Sequence, residues 1–417
     1  MILKRKLAII FQNSYQALIN LCENPISCAI LAAVVYLILA AVSGRLFSVS
    51  KYAYYNYLAD AFLHGQFSLR LLPEYTLDLS MYNERYYLNM APLPAILLMP
   101  FIAIFGVSFN DVLFTALASG LCVGFFAQLL RKAGRVEFIH ITKNQRALLV
   151  FFLAFGTVLL TQASKGKVWQ TAQVVGFAFT ILAFLASFTF TGKKAWFFTG
   201  LALACSMLSR VPSVFVGIFL VIYLVRRDQS WSWKRVIQNF FLAGMPILLG
   251  LGFFLFYNYA RFGNMLETGL SFHTMSPFFS EQFGKYGASS IHYLPINLYY
   301  EFIYYPFPLT QESMMGGSLF LLSPLFVAIF PAITRSKPRW EIWGLLSSIL
   351  VAEIPIMLHM STGWITFGPR YTLDFTVPLM LLTAKGIEKW KTWIIVLLVS
   401  LSVAQYMIGT IAFLPLE

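Results

Sequence analysis

The run Pro92-Leu93-Pro94-Ala95-Ile96-Leu97-Leu98-Met99-Pro100-Phe101 decides how the rest of the chain is threaded. It closes segment 51–110, which follows a plain apolar anchor and carries Asp60, Glu74, Asp78 and Glu84 among a dense set of tyrosines. Counted as a membrane span, 91–106 would put Arg131, Lys132, Arg135, Lys143 and Arg146 outside and invert everything downstream. The run is short, and its three prolines remove helix hydrogen bonds. It therefore reads as an in-plane or re-entrant helix, 91–106, within a first extracytoplasmic loop at 49–109.

Composition sets the class. Hydrophobic residues fill 59% of 417 positions and charged residues 11%, which excludes a soluble globular domain. Apolar runs long enough to cross a bilayer recur along the whole chain, and the alternating pattern of a β-barrel is absent. The expected fold is an all-α polytopic membrane protein, one integral domain over 1–417. Its spans fall near 28–48, 110–130, 147–163, 172–191, 195–209, 211–225, 236–258, 316–334, 342–360, 372–385 and 392–413. The N-terminal Lys4-Arg5-Lys6 and the interrupted apolar stretch behind it read as an uncleaved interfacial segment. Cys22, Cys28, Cys122 and Cys205 lie in or beside apolar segments without metal spacing, and read as small core residues.

A net charge of +13 would point to nucleic acid in a soluble protein. Here most of the 30 basic residues fall in short segments that this threading makes cytoplasmic, as the positive-inside rule requires. Topology explains the charge, and no nucleic acid partner is expected. The large extracytoplasmic loops are then 49–109 and 259–315, and they or their edges hold most of the 21 tyrosines. An aromatic belt would populate both interfaces, so this imbalance points to outer loops packed on the membrane, with room for sugar rings against residues such as Tyr86 and Tyr87.

Chemistry is expected on that outer face of the membrane. Asp60 sits in a short helical stretch ended by Gly65, and Asp78 in a looser one. Either carboxylate is suited to take the proton of an attacking hydroxyl, although each has a plain alternative, Asp60 in an ion pair and Asp78 as a turn cap. No DxD, HExxH or paired His–carboxylate spacing occurs, so neither metal nor cofactor is expected. A donor with one phosphate needs only cations, and Lys165, Lys167, Arg210, Arg261 and Arg370 fall at or just under the outer surface. Snorkelling to headgroups is the simpler reading of the two lysines. For Arg370 the simpler reading is an intrahelical pair with Asp374, four residues on. Glu353 lies inside a span, where an acid is a functional candidate, with Arg210 or Arg370 as partner.

Several stretches together resemble a family. They are 57–66, Tyr82-Asn83-x-x-Tyr86-Tyr87, Ala91-Pro92-Leu93-Pro94-Ala95, Tyr259-Ala260-Arg261-Phe262-Gly263-Asn264, 316–324, and Gly363-Trp364-x-x-Phe367-Gly368-Pro369-Arg370-Tyr371. They resemble bacterial GT-C glycosyltransferases of the protein O-mannosyltransferase and lipid A aminoarabinose transferase type. The resemblance implies a GT-C-like bundle, a polyprenyl-phosphate sugar donor and an inverting displacement on the extracytoplasmic face. It also implies a first-loop acid as general base. That acid commonly follows the first span as an Asp-Glu pair, where this chain has Ser50-Lys51, so Asp60 and Asp78 become the candidates by position.

The expected function is transfer of a monosaccharide from a polyprenyl phosphate to a lipid, glycan or protein acceptor of the cell envelope. The alternatives are a lipid-linked saccharide flippase, which should show related halves and charged spans, and an inactive envelope scaffold.

Overall fold

The computed structural model describes residues 21, 23–227, 232–334 and 339–413. The N-terminal interfacial segment with Lys4, Arg5 and Lys6, together with Arg335 and Lys337, lies outside them. Helix α1 (Pro25–Val42) begins at Asn24, whose side chain accepts from Ile26 N–H, with Pro25 in the first turn where no N–H is needed. After the first loop, α4 (Asp111–Arg135) is capped by Asn110 onto Leu113 N–H. Between them lie α2 (Tyr54–Leu63), a hairpin of β1 (Ser80–Tyr82) and β2 (Arg85–Tyr87), and α3 (Leu93–Phe105). At about 1.5 Å per residue α3 reaches about 20 Å, short of the hydrocarbon thickness of about 30 Å. It packs against α2.

Helices α5 (Lys143–Phe155), α6 (Leu159–Ala163), α7 (Lys167–Thr189), α8 (Gly192–Met207), α9 (Gly217–Arg227) and α10 (Trp233–Phe262) follow. The second loop contains α11 (Pro277–Tyr286) and α12 (Leu294–Leu298). The chain then returns through α13 (Leu319–Leu322), α14 (Ile329–Thr334), α15 (Trp340–Met357), α16 (Thr376–Ile387) and α17 (Thr392–Ala412). Among the described residues, α1, α4, α7, α10, α15 and α17 are long and apolar enough to cross a membrane.

Four of the expected spans are built from pieces. The 147–163 span breaks at Gly156, between α5 and α6. The 211–225 span opens as a 3-10 turn, Val211–Val216, around Pro212. The 316–334 span is α13, a 3-10 segment Pro324–Ala328 and α14. The 372–385 span opens as a 3-10 turn, Arg370–Phe375. Glycine and proline interrupt the hydrogen-bond ladder at these places, which a bilayer protein tolerates only where the freed backbone is covered by other protein. The pieces are largely buried.

Packing follows side-chain size. On α1, Ile26, Ile30, Val34, Ile38 and Val42 form a stripe at four-residue spacing and are all exposed, while Cys28, Ala32, Ala33, Tyr36 and Ala40 are buried on the α4 side. A Cβ on Gly120 or Gly124 of α4 would sit 2.7 Å from the Ala29 or Pro25 carbonyl oxygen. This small-xxx-small spacing lets the two backbones touch. Buried hydroxyl contacts tie further helices, Thr115 to Thr171 at 2.7 Å and Thr180 to Ser206 at 2.8 Å. Helix α10 is mostly exposed, with Ile237, Phe241, Leu248 and Leu249 each about two-thirds accessible, as expected of a lipid-facing helix.

Candidate functional site

The loops gather at the end of the bundle where α4 and α7 begin, and backbone pairing joins the first loop to the second. Asn83 and Glu84, at φ 47° and 59°, make the two-residue turn whose double positive φ matches strand twist. Leu79 and Asp78 then exchange hydrogen bonds with Thr274: Thr274 N–H donates to Leu79 O and Asp78 N–H to Thr274 O, each at 2.7 Å. Ser80 Oγ donates to Gly269 O at 2.7 Å. This strap sets His273 Nε2 3.2 Å from Asp78 Oδ1. The Asp78 side chain is a quarter exposed. Burial, and then the Asp78 charge, push both Tyr52 and Tyr54 above the ordinary tyrosine range. Lys167 Nζ lies 5.4 Å over the Tyr52 ring, so Asp78 has a basic aromatic wall on one side and His273 on the other.

His359 lies near Arg210, Arg370 and His273. Its ring meets Tyr371 edge-on at 5.7 Å. The guanidinium carbons of Arg210 and Arg370 stand 5.1 and 5.0 Å from the centre of that same tyrosine ring. Both arginines start 3-10 turns of broken spans, which holds them inside the bundle rather than in water. Their partners differ. Arg210 grips Asp374 with two bonds, Nη2 to Oδ2 at 2.8 Å and Nε to Oδ1 at 3.2 Å. Arg370 is 5% exposed and its guanidinium reaches only the Tyr371 hydroxyl, at 3.2 Å, leaving Nε without a partner. The expected pair of Arg370 with Asp374 is therefore not formed. Arg210 has taken the acid.

Glu353 meets no arginine among the described residues. Its neighbour is Glu301, a buried acid of the second loop. Burial first, and then the Glu353 carboxyl, push Glu301 well above the usual carboxylate range. The pair lies beside a cavity of about 10 Å³ lined by Asn297, Tyr300, Glu301, Thr362 and Tyr371 among others, room for about one water molecule. Asn297 Oδ1 and Thr362 Oγ1 have no hydrogen-bond partner among the described residues, which suits such a polar site.

The other candidates sit elsewhere. Asp60 is held by Arg70 through two bonds of 2.9 Å, the ion pair weighed for it above. Arg261 is 3% exposed and stacks at 3.7 Å on Tyr257. It also donates to Leu88 O at 2.5 Å and Asn258 Oδ1 at 2.7 Å, joining α10 to the strand end. Tyr87 packs on Phe262 at 5.2 Å, and Tyr86 is half-buried in the hairpin. Lys165 is 1% exposed and so does not snorkel.

Sequence reasoning missed Asp111, His273 and Glu301 as members of these arrangements, and gave Asp374 to Arg370 rather than to Arg210. Asp111 accepts from Ser50 N–H at 2.9 Å, Ser50 Oγ at 2.5 Å and Lys167 N–H at 2.9 Å. It is a buried latch at the place where the first-loop acid was expected. Only Asp111 carried a local signal, as an acid at a helix start.

No family model matches the chain, and no curated protein matches it. Among solved structures it is similar to the crystal structure of ArnT from Cupriavidus metallidurans bound to undecaprenyl phosphate, with 15% identity and a TM-score of 0.53. The match covers 87% of this chain and 61% of that one, so the chain spans about three fifths of that protein's length. The chain thus has a GT-C-like membrane fold.

Proposed function

We propose that the chain is a GT-C-type glycosyltransferase that moves a monosaccharide from a polyprenyl phosphate to a hydroxyl of a cell-envelope lipid, glycan or protein. One observation carries the reading: Arg370 is a buried guanidinium with no acidic partner among the described residues, while Arg210 beside it is neutralised by Asp374. A permanent cation in that setting is costly unless an anion visits it. A phosphate monoanion linked to a lipid is such an anion, and ArnT, whose fold the chain shares, was crystallised with one.

In this reading Arg370 holds the donor phosphate, Tyr371 orients the guanidinium by stacking and by its hydroxyl, and Arg210 keeps Tyr371 and Asp374 in position. Asp78 takes the proton of the acceptor hydroxyl as its oxygen bonds to the anomeric carbon. The bond from that carbon to the phosphate oxygen breaks with inversion, and polyprenyl phosphate leaves with its charge against Arg370. Asp78 is preferred to Asp60 because its carboxylate is open on one side and faces a histidine, whereas Arg70 occupies both oxygens of Asp60. Such a site would face outward from the inner membrane, given the basic residues at the opposite end of the bundle.

The test is reconstitution with labelled polyprenyl-phosphate sugars and envelope acceptors. Asp78→Asn is expected to lower transfer by about 10²–10⁴-fold, and Arg370→Ala by about 10–100-fold with a raised KM for the donor. Asp60→Asn should stay near wild type. Wild-type release of polyprenyl phosphate by Asp78→Asn would remove Asp78 from the role. Translocation of the lipid without transfer would make the chain a flippase.

A further inference from the structure

The opposite end of α4 carries a second polar site, unrelated to the transfer chemistry. Helix α4 has 25 residues and so separates its ends by about 37 Å. Where it stops and α5 begins there is a cavity of about 470 Å³ lined by Arg131, Arg135, His140, Arg146 and Glu23. Arg131 and Arg135 lie four residues apart and so share one helix face. Arg146 faces them from α5, and His140 from the connection. Arg146 holds the acid of the cavity, Glu23, with bonds of 2.8–3.1 Å. Arg131 reaches only the Glu23 backbone oxygen, at 3.4 Å. Neither Arg131 nor Arg135 has an ion pair among the described residues, so the cavity keeps two uncompensated guanidinia. Its lining is mainly polar, with Ile139 and Ile141 on one side. The exposed apolar stripe of α1 begins beside it at Ile26, three residues after Glu23.

We infer that this cavity binds the phosphate headgroup of an anionic phospholipid of the cytoplasmic leaflet, with the acyl chains along α1 and α4. A forked guanidinium suits phosphate oxygens, and basic recesses between helices on this side of a bilayer are where anionic headgroups settle. The volume admits a glycerophosphate headgroup and exceeds that needed for water. Occupancy would clamp α4 to α5 and hold the bundle from the basic end.

The experiment uses the full chain in mixed micelles and reads the melting temperature against added phosphatidylglycerol or phosphatidylcholine. Phosphatidylglycerol is expected to raise it and phosphatidylcholine not, with the difference shrinking in high salt. Arg131→Gln with Arg135→Gln should weaken the apparent phosphatidylglycerol affinity by about tenfold or more. Lys193→Gln with Lys194→Gln, basic residues outside the cavity, should leave it unchanged. The single change Arg135→Gln, at an exposed position, gives the same direction if the double variant does not fold. Equal effects of the two lipids, or equal losses from the two double variants, would overturn the site. Full stabilisation by soluble glycerol 1-phosphate would make it a site for a free anion instead.

Discussion

Arg370 and Arg210 share one tyrosine ring and differ in whether an acid meets them. Both stack against Tyr371, yet only Arg210 is neutralised, by Asp374. Asp374→Asn is therefore predicted to leave two uncompensated guanidinia on one tyrosine. The expected result is loss of about 3–5 kcal/mol of stability, read as a fall in melting temperature that added polyprenyl phosphate partly restores. A melting temperature equal to wild type would mean that Arg210 is compensated elsewhere. The acid pair behaves in the opposite sense. Glu301 has a raised folded pKa, so the folded protein keeps a proton that the unfolded chain loses above the ordinary glutamate range. Its contribution to stability is present in acid and falls as pH rises through the folded pKa. Glu301→Gln should be tolerated at neutral pH and should flatten that decline in a series of melts from pH 5 to about 9. An unchanged slope would assign the decline to another group.

At the scale of elements, the site depends on the strap between hairpin and second loop. Gly269 is at φ 101°, and a Cβ there would come 2.8 Å from both Ser80 Oγ and Phe262 Cζ. Gly269→Ala should cost about 1–3 kcal/mol and loosen the pairing that holds His273 against Asp78. Faster proteolysis between Glu267 and Lys285 together with reduced transfer is the expected readout, and Ser80→Ala, which removes only one hydrogen bond, should be milder. If Gly269→Ala lowers neither, the strap is not what positions His273. The broken spans matter at the same scale. Arg210-Val211-Pro212 was readable as an arginine below the surface, because two short spans meet there. That Arg370–Phe375 opens another span as a 3-10 turn was not readable, because its proline precedes the turn and its fold is set by packing against α7 and α15.

At the scale of the molecule, the charge distribution predicts sidedness. A membrane-impermeant maleimide on intact cells should label Ser280→Cys, exposed in the second loop, and leave Lys193→Cys unlabelled until the membrane is opened. The reverse pattern would invert the threading and move the candidate site to the cytoplasm. The long apolar runs were legible because bilayer thickness and backbone hydrogen bonding act on local sequence; the three prolines of 91–106 did not break its helix, which runs unbroken over Leu93–Phe105 with Pro100 inside it. The candidates Asp78, Arg210, Arg370 and Glu353 were legible as ionisable groups near or inside an apolar phase. Their partners were not. Arg210 meets Asp374 across 164 residues, Asp78 meets His273 across the two loops, and Glu353 meets an acid where an arginine was expected. Sequence by itself determined that this chain is a helical membrane bundle with its ionisable groups kept to the two ends and the broken spans, since the cost of burying charge and backbone in hydrocarbon is paid residue by residue. Only the tertiary structure decided which cation keeps its charge free, because that depends on which acid the fold brings within 3 Å.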